Sequence, residues 1–351
     1  MTDAVTGITD EVRAAFDHHL TEADDEAAVA LTVRLVEEGL SEEEVLLDLV
    51  APAQIAVGSR WAAGEWTVAQ EHSATHVSQQ VVTAIAAVRP PDGNAPTGDI
   101  AVACSDGEWH TLAPRILSEV LRLRGFQVRF LGGHVPPARL ISDLHSNGPD
   151  VVALSCTLPV RLPLADRLFE VCRTAGVPVL AGGPGFGPAG MWARTLGADL
   201  YAPDARSAAE LLRTGWPPRR TGRPSVDDRS AETYAWLVQQ RPALLRGLLE
   251  RLPHGLALAA DPADPQLDAT VEQLGYLTDS LAAGVFVDDP RIFTDCLGFI
   301  RGYCSARCSS PDHLDTVVAA YASLLHDSPR TLAHVVAGQK WLAGPLGDRS
   351  G

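Results

Sequence analysis

The sequence predicts an α/β plus all-α protein in three parts: a helical bundle over residues 1–90, a Rossmann-like doubly wound parallel sheet over 98–215, and an all-helical domain over 230–351. Three observations predict it. Short apolar runs at Ile100 to Cys104, Val128 to Leu131, Val151 to Leu154 and Val177 to Ala181 alternate with helix-length stretches, the βαβ signature of a buried parallel sheet. On either side of them, apolar residues recur at helical rather than alternating spacing. Two stretches rich in turn residues, Pro90 to Pro96 and Trp216 to Pro224, separate the parts.

In the first part, Val29, Val33 and Val36 lie at helical spacing. Ser41 followed three residues later by Glu44 is a capping-box start, and Val45, Leu46, Leu49 and Val50 form the apolar stripe of a helix that runs into Pro52. Thr67 and Gln70 offer the same start to a helix that carries Glu71, His72 and His76 toward Val81, Val82 and Ile85. In the second part, Leu200-Tyr201 adds a fifth, weaker strand, and a helix is expected over Pro114 to Gly125. Helices in the third part are expected near Ala231 to Leu252, Asp264 to Ala283, Pro290 to Ala306, Pro311 to His326 and Pro329 to Leu342, each with proline or aspartate near its start or helical apolar periodicity.

The chain has 351 residues, more than one core usually serves, and 44 acidic against 28 basic residues give a net charge of −16. That charge repels phosphate backbones and anionic lipid, so direct binding to nucleic acid or membrane is not expected. Six scattered cysteines, no signal-peptide pattern and no apolar run long enough to span a bilayer point to a reduced cytoplasmic protein.

In a doubly wound sheet, ligands bind outside the carboxyl ends of the strands. The loop after the first strand is Ser105-Asp106-Gly107-Glu108-Trp109-His110-Thr111, and a neutral imidazole there is a good transition-metal ligand. Its second ring nitrogen needs an acceptor, which Asp106 or Glu108 could supply. Taken alone, the loop also reads as ordinary turn material with an incidental histidine. His72 and His76, four residues apart on one helix face, are formally a zinc pair without further ligands at convincing spacing.

Glu108-x-His110-x-x-Ala113, Ser155-x-Thr157-Leu158 and Gly182-Gly183 together resemble the cobalamin-binding domain shared by methionine synthase, corrinoid methyl-transfer proteins and base-off/His-on mutases. The pattern of that domain ends its first element in glycine, where this chain has Ala113. The resemblance implies that His110 is the lower axial ligand of cobalt, with Glu108 and Thr111 beside it. It also implies that Ser155, Thr157 and Leu158 line a channel for the displaced nucleotide tail, against which Gly182 and Gly183 let the backbone lie.

Trp61, nine residues, then Glu71-His72 resembles the light-sensing cobalamin proteins typified by the CarH photoreceptors. That resemblance implies an upper-face pocket of Trp61, Val68, Glu71 and His72 for the 5′-deoxyadenosyl group of adenosylcobalamin. An indole can cover a nucleoside while a carboxylate and an imidazole hydrogen-bond it. The same residues also read as bundle core and a solvated helix face. Those photoreceptors carry a histidine directly after the tryptophan; this chain has Ala62, which closes that route to a bis-histidine photoproduct. The sequence also leaves no room for their N-terminal DNA-binding helices, so the output is expected elsewhere. A helical domain after the cobalamin domain resembles the arrangement of photocobilins, which implies biliverdin as a second chromophore. Arg291, Arg301, Arg307, His313 and Tyr303 are its candidate partners, and Cys296, Cys304 and Cys308 are nearby thiols. A helical docking or dimerisation module is the plain alternative. The expected function is a light sensor that changes its homo-oligomeric state and signals to a downstream partner; the alternative is a corrinoid carrier or methyltransferase subunit.

Overall fold

A computed structural model describes residues 7–89, 95–252, 265–306 and 313–344, with the backbone alone described over 265–269. Part of the first expected linker (90–94), the expected helix starts at Asp264 and Pro311, and Arg307 and Cys308 lie outside the described residues. The chain divides into two compact units, Met1–Thr157 with Leu164–Arg223, and Leu158–Pro163 with Pro224–Gly351.

The first unit opens with α1 (Asp10–Thr21), whose N-terminal N–H groups are capped by Thr9, and α2 (Asp25–Glu37), capped by Asp24. The buried face of α2 is Ala28, Leu31, Thr32 and Leu35, so the valines at 29, 33 and 36 flank the core instead of centring on it. Ser41 and Glu44 form a reciprocal capping box at α3 (Glu42–Glu44). The following apolar stripe does not stop at Pro52. Proline has no N–H for the carbonyl of Asp48, four residues back. The backbone opens into a π-helical turn over Val45–Val50, with Ala51 N–H bonding Leu46 O, and the Arg13 guanidinium takes the Asp48 carbonyl. The helix then continues as α4 (Ala51–Ala62). A second capping box, Thr67 with Gln70, starts α5 (Val68–Val88).

After α5 come β1 (Asp99–Cys104), α6 (Leu112–Leu123), β2 (Gln127–Gly132), α7 (Pro137–Asn147) and β3 (Val151–Ser155). Then follow α8 (Leu162–Ala175), β4 (Val179–Gly182), α9 (Met191–Thr195), β5 (Leu200–Ala202) and α10 (Ala205–Thr214). All strand pairs are parallel, in the order β2-β1-β3-β4-β5. Strand cores such as Ile100 to Cys104 and Val151 to Leu154 are fully buried, which is why they read as unbroken apolar runs.

Bundle and sheet share one core: Val81, Val82 and Ile85 of α5 belong to the same buried cluster as Val102, Ile116 and Val120. Ion pairs reinforce the seam. Arg89 reaches Glu42 at 2.6 Å and Glu119 at 3.2 Å, and the Glu119 side chain, 2% exposed, also meets Arg115 and Arg122. Arg124 pairs with Glu43 at 2.8 Å.

The second unit holds α11 (Asp228–Arg251), α12 (Pro265–Val287), α13 (Arg291–Ala306), α14 (Leu314–Leu324) and α15 (Pro329–Ala343). Leu244, Leu248, Leu277, Leu281, Phe293 and Tyr321 are central to its separate core. Tyr321 meets Thr278 through a buried hydroxyl pair at 2.6 Å. Among the described residues, no helix is long and apolar enough to cross a membrane.

Candidate functional site

Register across the sheet builds the site. Cys104 stands opposite Ser155, Ser155 opposite Gly182, and Gly182 opposite Ala202, so the carboxyl ends of β1, β3, β4 and β5 form one row. The chain leaves β1 toward β2 on one side and returns to β3 on the other. This reversal opens a crevice at the end of β1, where the loop bearing Glu108 and His110 lies.

Glu108 is buried beneath that loop, yet its oxygens are engaged. His110 Nδ1 lies 2.5 Å from Oε1, the backbone N–H of His110 donates to the same oxygen at 3.0 Å, and the N–H of Thr157 donates to Oε2 at 2.8 Å. Burial alone raises the carboxyl pKa, but the hydrogen bonds from His110 and Thr157 outweigh it and the net shift is downward. The bond to Glu108 raises the His110 pKa against the opposing pull of burial, with the charges of Glu108 and Glu71 adding to the rise. A ring that gives its Nδ1 proton to Glu108 keeps its lone pair on Nε2, and the His110 side chain is 58% exposed. Asp106, the other candidate acceptor, instead stands 3.1 Å from Nδ1 of His134. The exposed indole of Trp109 stacks on His134 with ring centroids 5.1 Å apart.

Beside this loop a cavity of about 640 Å³ enters the first unit along the strand ends. Its buried floor includes Ile116, Ala153, Leu180 and Ala202, and its exposed rim includes Ile55, Asp204 and Arg206. Ser155, Gly182 and Gly183 line it as the sequence motifs require. Gly183 has φ +103°, and a Cβ there would meet the Cys156 carbonyl oxygen at 2.4 Å, so the position admits only glycine. Ala113, by contrast, stands exposed in the first turn of α6, where helical backbone needs no glycine. Thr157 contributes through its backbone N–H. Leu158, expected in the same channel, groups with the second unit, ahead of the turn Pro159–Arg161.

The bundle supplies another wall of the cavity through Leu47, Ala51, Gln54 and Ile55; Trp61, Val68, Glu71 and His72 are not among its lining residues. Trp66 is core, with Arg60 5.1 Å over its ring, whereas Trp61 is only half-buried. Val68 and His72 are exposed on α5. Glu71 contacts the His72 imidazole and accepts the Thr75 hydroxyl at 2.9 Å. Gln79 donates to the Thr111 hydroxyl at 3.3 Å, so α5 runs along the loop that carries His110.

Pattern in the sequence gave no sign of Gln54 or Arg206. Gln54 lines the cavity from mid-helix, and Arg206 on its rim bonds Asp48 at 3.0 Å, a partner 158 residues away in sequence. For the formally possible zinc pair of His72 and His76, the described residues contain no group of three or more His, Cys, Asp or Glu placed to hold a metal; His76 meets Gln80 at 3.3 Å. In the second unit, Arg291 pairs with Asp289 at 2.6 Å and Arg301 lies 5.2 Å from the Trp341 ring centroid. Tyr303 neighbours Phe299, and His313 precedes α14. Burial pushes the Cys296 thiol up to about 12, while Cys304 is half-buried.

An oriented, exposed imidazole in a loop beside an apolar slot, with a glycine cradle along the slot, suits a corrin bearing a nucleotide tail. Two families, each described as a B12 binding domain, match the chain, one over residues 12–86 and the other over 98–213. The dimethylamine corrinoid protein 3 of Methanosarcina mazei is 31% identical over 124 residues, 34% of this chain and 73% of its own length. The trimethylamine corrinoid protein of Methanosarcina barkeri is 23% identical over 212 residues, 58% of this chain and 96% of its own. The solved monomethylamine corrinoid protein of Methanosarcina barkeri shares the fold, with a TM-score of 0.51 at 16% identity, over 57% of this chain and 97% of that one. On these matches, and with the crevice that its strand order creates, the chain belongs to the B12-binding corrinoid proteins.

Proposed function

We propose that this corrinoid protein serves as a light sensor: His110 would hold the cobalt of adenosylcobalamin, and Trp61, Val68, Glu71 and His72 would hold its adenosyl group. One observation carries the reading: α5 lies against the ligand loop, close enough for the Glu71 charge to act on His110 and for Gln79 to bond Thr111. When bound, adenosylcobalamin supplies a cobalt–carbon bond that visible light cleaves. The protein's part is to orient and to register. Glu108 fixes the ring and tautomer of His110, the half-buried Trp61 offers a flat apolar surface, and Glu71 with His72 offers hydrogen-bonding groups beside it. Loss of the upper-face contacts biases the bundle against the sheet, and hence the state of assembly. Ala62 offers no imidazole to replace them.

A second reading, a corrinoid carrier or methyltransferase subunit, is favoured by the relatives, which are methylamine corrinoid proteins. They weigh toward the carrier, while the Trp61 and Glu71-His72 set weighs toward the sensor. The match to the trimethylamine corrinoid protein takes in nearly all of that protein and only 58% of this chain. For the remainder, the sensor reading assigns the second unit to biliverdin.

Absorption spectra of the protein loaded with adenosylcobalamin or methylcobalamin, before and after green light, separate the readings. The sensor reading expects tight uptake of the adenosyl form, a light-driven spectral change and a change in mass on size-exclusion chromatography; added biliverdin should give a far-red band. An unchanged mass after illumination, together with methyl transfer to an acceptor by a partner enzyme, establishes the carrier instead.

A further inference from the structure

We infer that His134 is a positioning residue for the axial imidazole: from the end of β2 it grips the loop that carries His110 and sets where that ring stands. The inference rests on the corrinoid reading of the site and adds a residue to it.

β1 lies between β2 and β3, so the loop that leaves it can be held from both neighbours. On the β3 side, the N–H of Thr157 holds the Glu108 carboxylate. On the β2 side the hold is His134, which touches Gly107, Glu108 and Trp109, the run that leads into His110. Its backbone N–H donates to the Glu108 carbonyl at 2.8 Å, its Nδ1 accepts the Gly107 N–H at 2.9 Å, and its ring stacks on Trp109 with an interplanar angle of 15°. No local pattern announces this grip, since Gly107 and His134 stand 27 residues apart.

The backbone is shaped for the same contact. A Cβ on Gly133 would stand 2.8 Å from Thr111 Cγ2 and 3.2 Å from the Glu108 carbonyl oxygen, so the chain leaving β2 passes the loop as bare backbone. His134 follows with φ +49°, in the left-handed region that glycine enters freely and most side chains avoid. An imidazole held there supplies what glycine lacks, an acceptor for Gly107 and a face for Trp109.

This hold answers a need that Glu108 leaves open. Glu108 sits on the same loop as His110, so its bond to Nδ1 fixes the ring relative to the loop and not the loop relative to the sheet. Thr157 and His134 supply the second reference, from the two strands that flank β1. The His134 side chain is 47% exposed and Trp109 is 70% exposed, so their contact adds little to the core. Its removal should displace the ligand and spare the fold.

The test titrates Co(II) cobinamide, a corrinoid without the nucleotide tail, into the full chain and follows absorbance. Electron paramagnetic resonance then reads the axial donor, because an axial nitrogen splits the cobalt lines and an axial water does not. Wild type should show the splitting and His110→Ala should lose it. His134→Gly, which suits the left-handed backbone, should weaken binding about tenfold and reduce the splitting at an unchanged melting temperature. His134→Asn also tolerates that backbone and restores an acceptor for Gly107, so it should recover most of both. Unchanged binding and splitting in His134→Gly overturn the proposal and leave the corrinoid reading in place. So do weaker binding with the splitting intact, a melting temperature that falls with the affinity, or a His134→Asn no better than His134→Gly. Splitting that survives His110→Ala overturns it together with the role of His110, and failure of the wild-type chain to take up cobinamide overturns the corrinoid reading as well.

Discussion

Among the described residues, two Glu–His pairs, Glu108 with His110 and Glu71 with His72, are built differently. At the sheet edge, Glu108 is buried and accepts two backbone N–H groups besides the imidazole of His110. On α5, Glu71 contacts the adjacent His72, whose side chain is 75% exposed. Burial with full hydrogen bonding holds the first imidazole in one orientation before any ligand arrives. Exposure leaves the second to be ordered by what it binds. Under the proposed sensor reading, a metal ligand gains from the first arrangement and a releasable cover from the second.

Glu108→Gln is the strongest blow to that contrast. The amide keeps one acceptor oxygen but turns an NH2 toward either Thr157 N–H or His110, so cobalamin affinity should drop roughly tenfold to 100-fold. Spectral titration would show it, and an affinity unchanged from wild type would mean that Glu108 does not orient the ligand. On the exposed pair, Glu71→Gln should cost about three- to tenfold in adenosylcobalamin affinity and leave cobinamide binding much less affected. Equal losses for the two corrinoids would erase the distinction between the fixed and the adaptable wall.

Acidity sharpens the comparison further. The folded pKa of Glu108 lies below its ordinary 4.5, so its contribution to stability is complete above that value and fades as the pH falls through the lower folded one. The folded pKa of His110 lies above its ordinary 6.5, so its contribution is complete below 6.5 and fades as the pH rises through the raised value. In the ligand-free protein, the melting-temperature gap between wild type and His110→Ala should therefore be widest between pH 4.5 and 6.5 and narrow on both sides. A gap flat across pH would show that the pair adds no linked stability.

Much of this architecture was legible from local pattern. The inner strands β1, β3 and β4 are buried and must be nearly continuous apolar runs, while the half-buried edge strands β2 and β5 show as weaker ones; Ser41 with Glu44 and Thr67 with Gln70 announce their helices because a capping box is satisfied within four residues. The ligand loop was found because strand ends in a parallel sheet are where ligands gather. Other features had no such signal. Pro52 reads as a helix stop, yet the helix passes it by a π turn, with Arg13 taking the stranded carbonyl from another helix. The segment 90–98 reads as a linker between separate domains, while Val81 and Ile85 join the bundle to the sheet in one core.

Periods of two and 3.6 residues, with the caps that bound them, carry the choice of strand or helix, and the order of strands and loops carries the position of Glu108 and His110. Those properties rest on interactions between near neighbours in the chain. The anchoring of Glu108 by Thr157 and the engagement of Asp106 by His134, the Gln54 to Thr75 bond, the Arg206 to Asp48 contact at the cavity rim and the grouping of Leu158 with the second unit rest on groups far apart in sequence. A hydrogen bond is worth making only where its partner arrives at about 3 Å, and the packing of bundle on sheet is what brings those partners there.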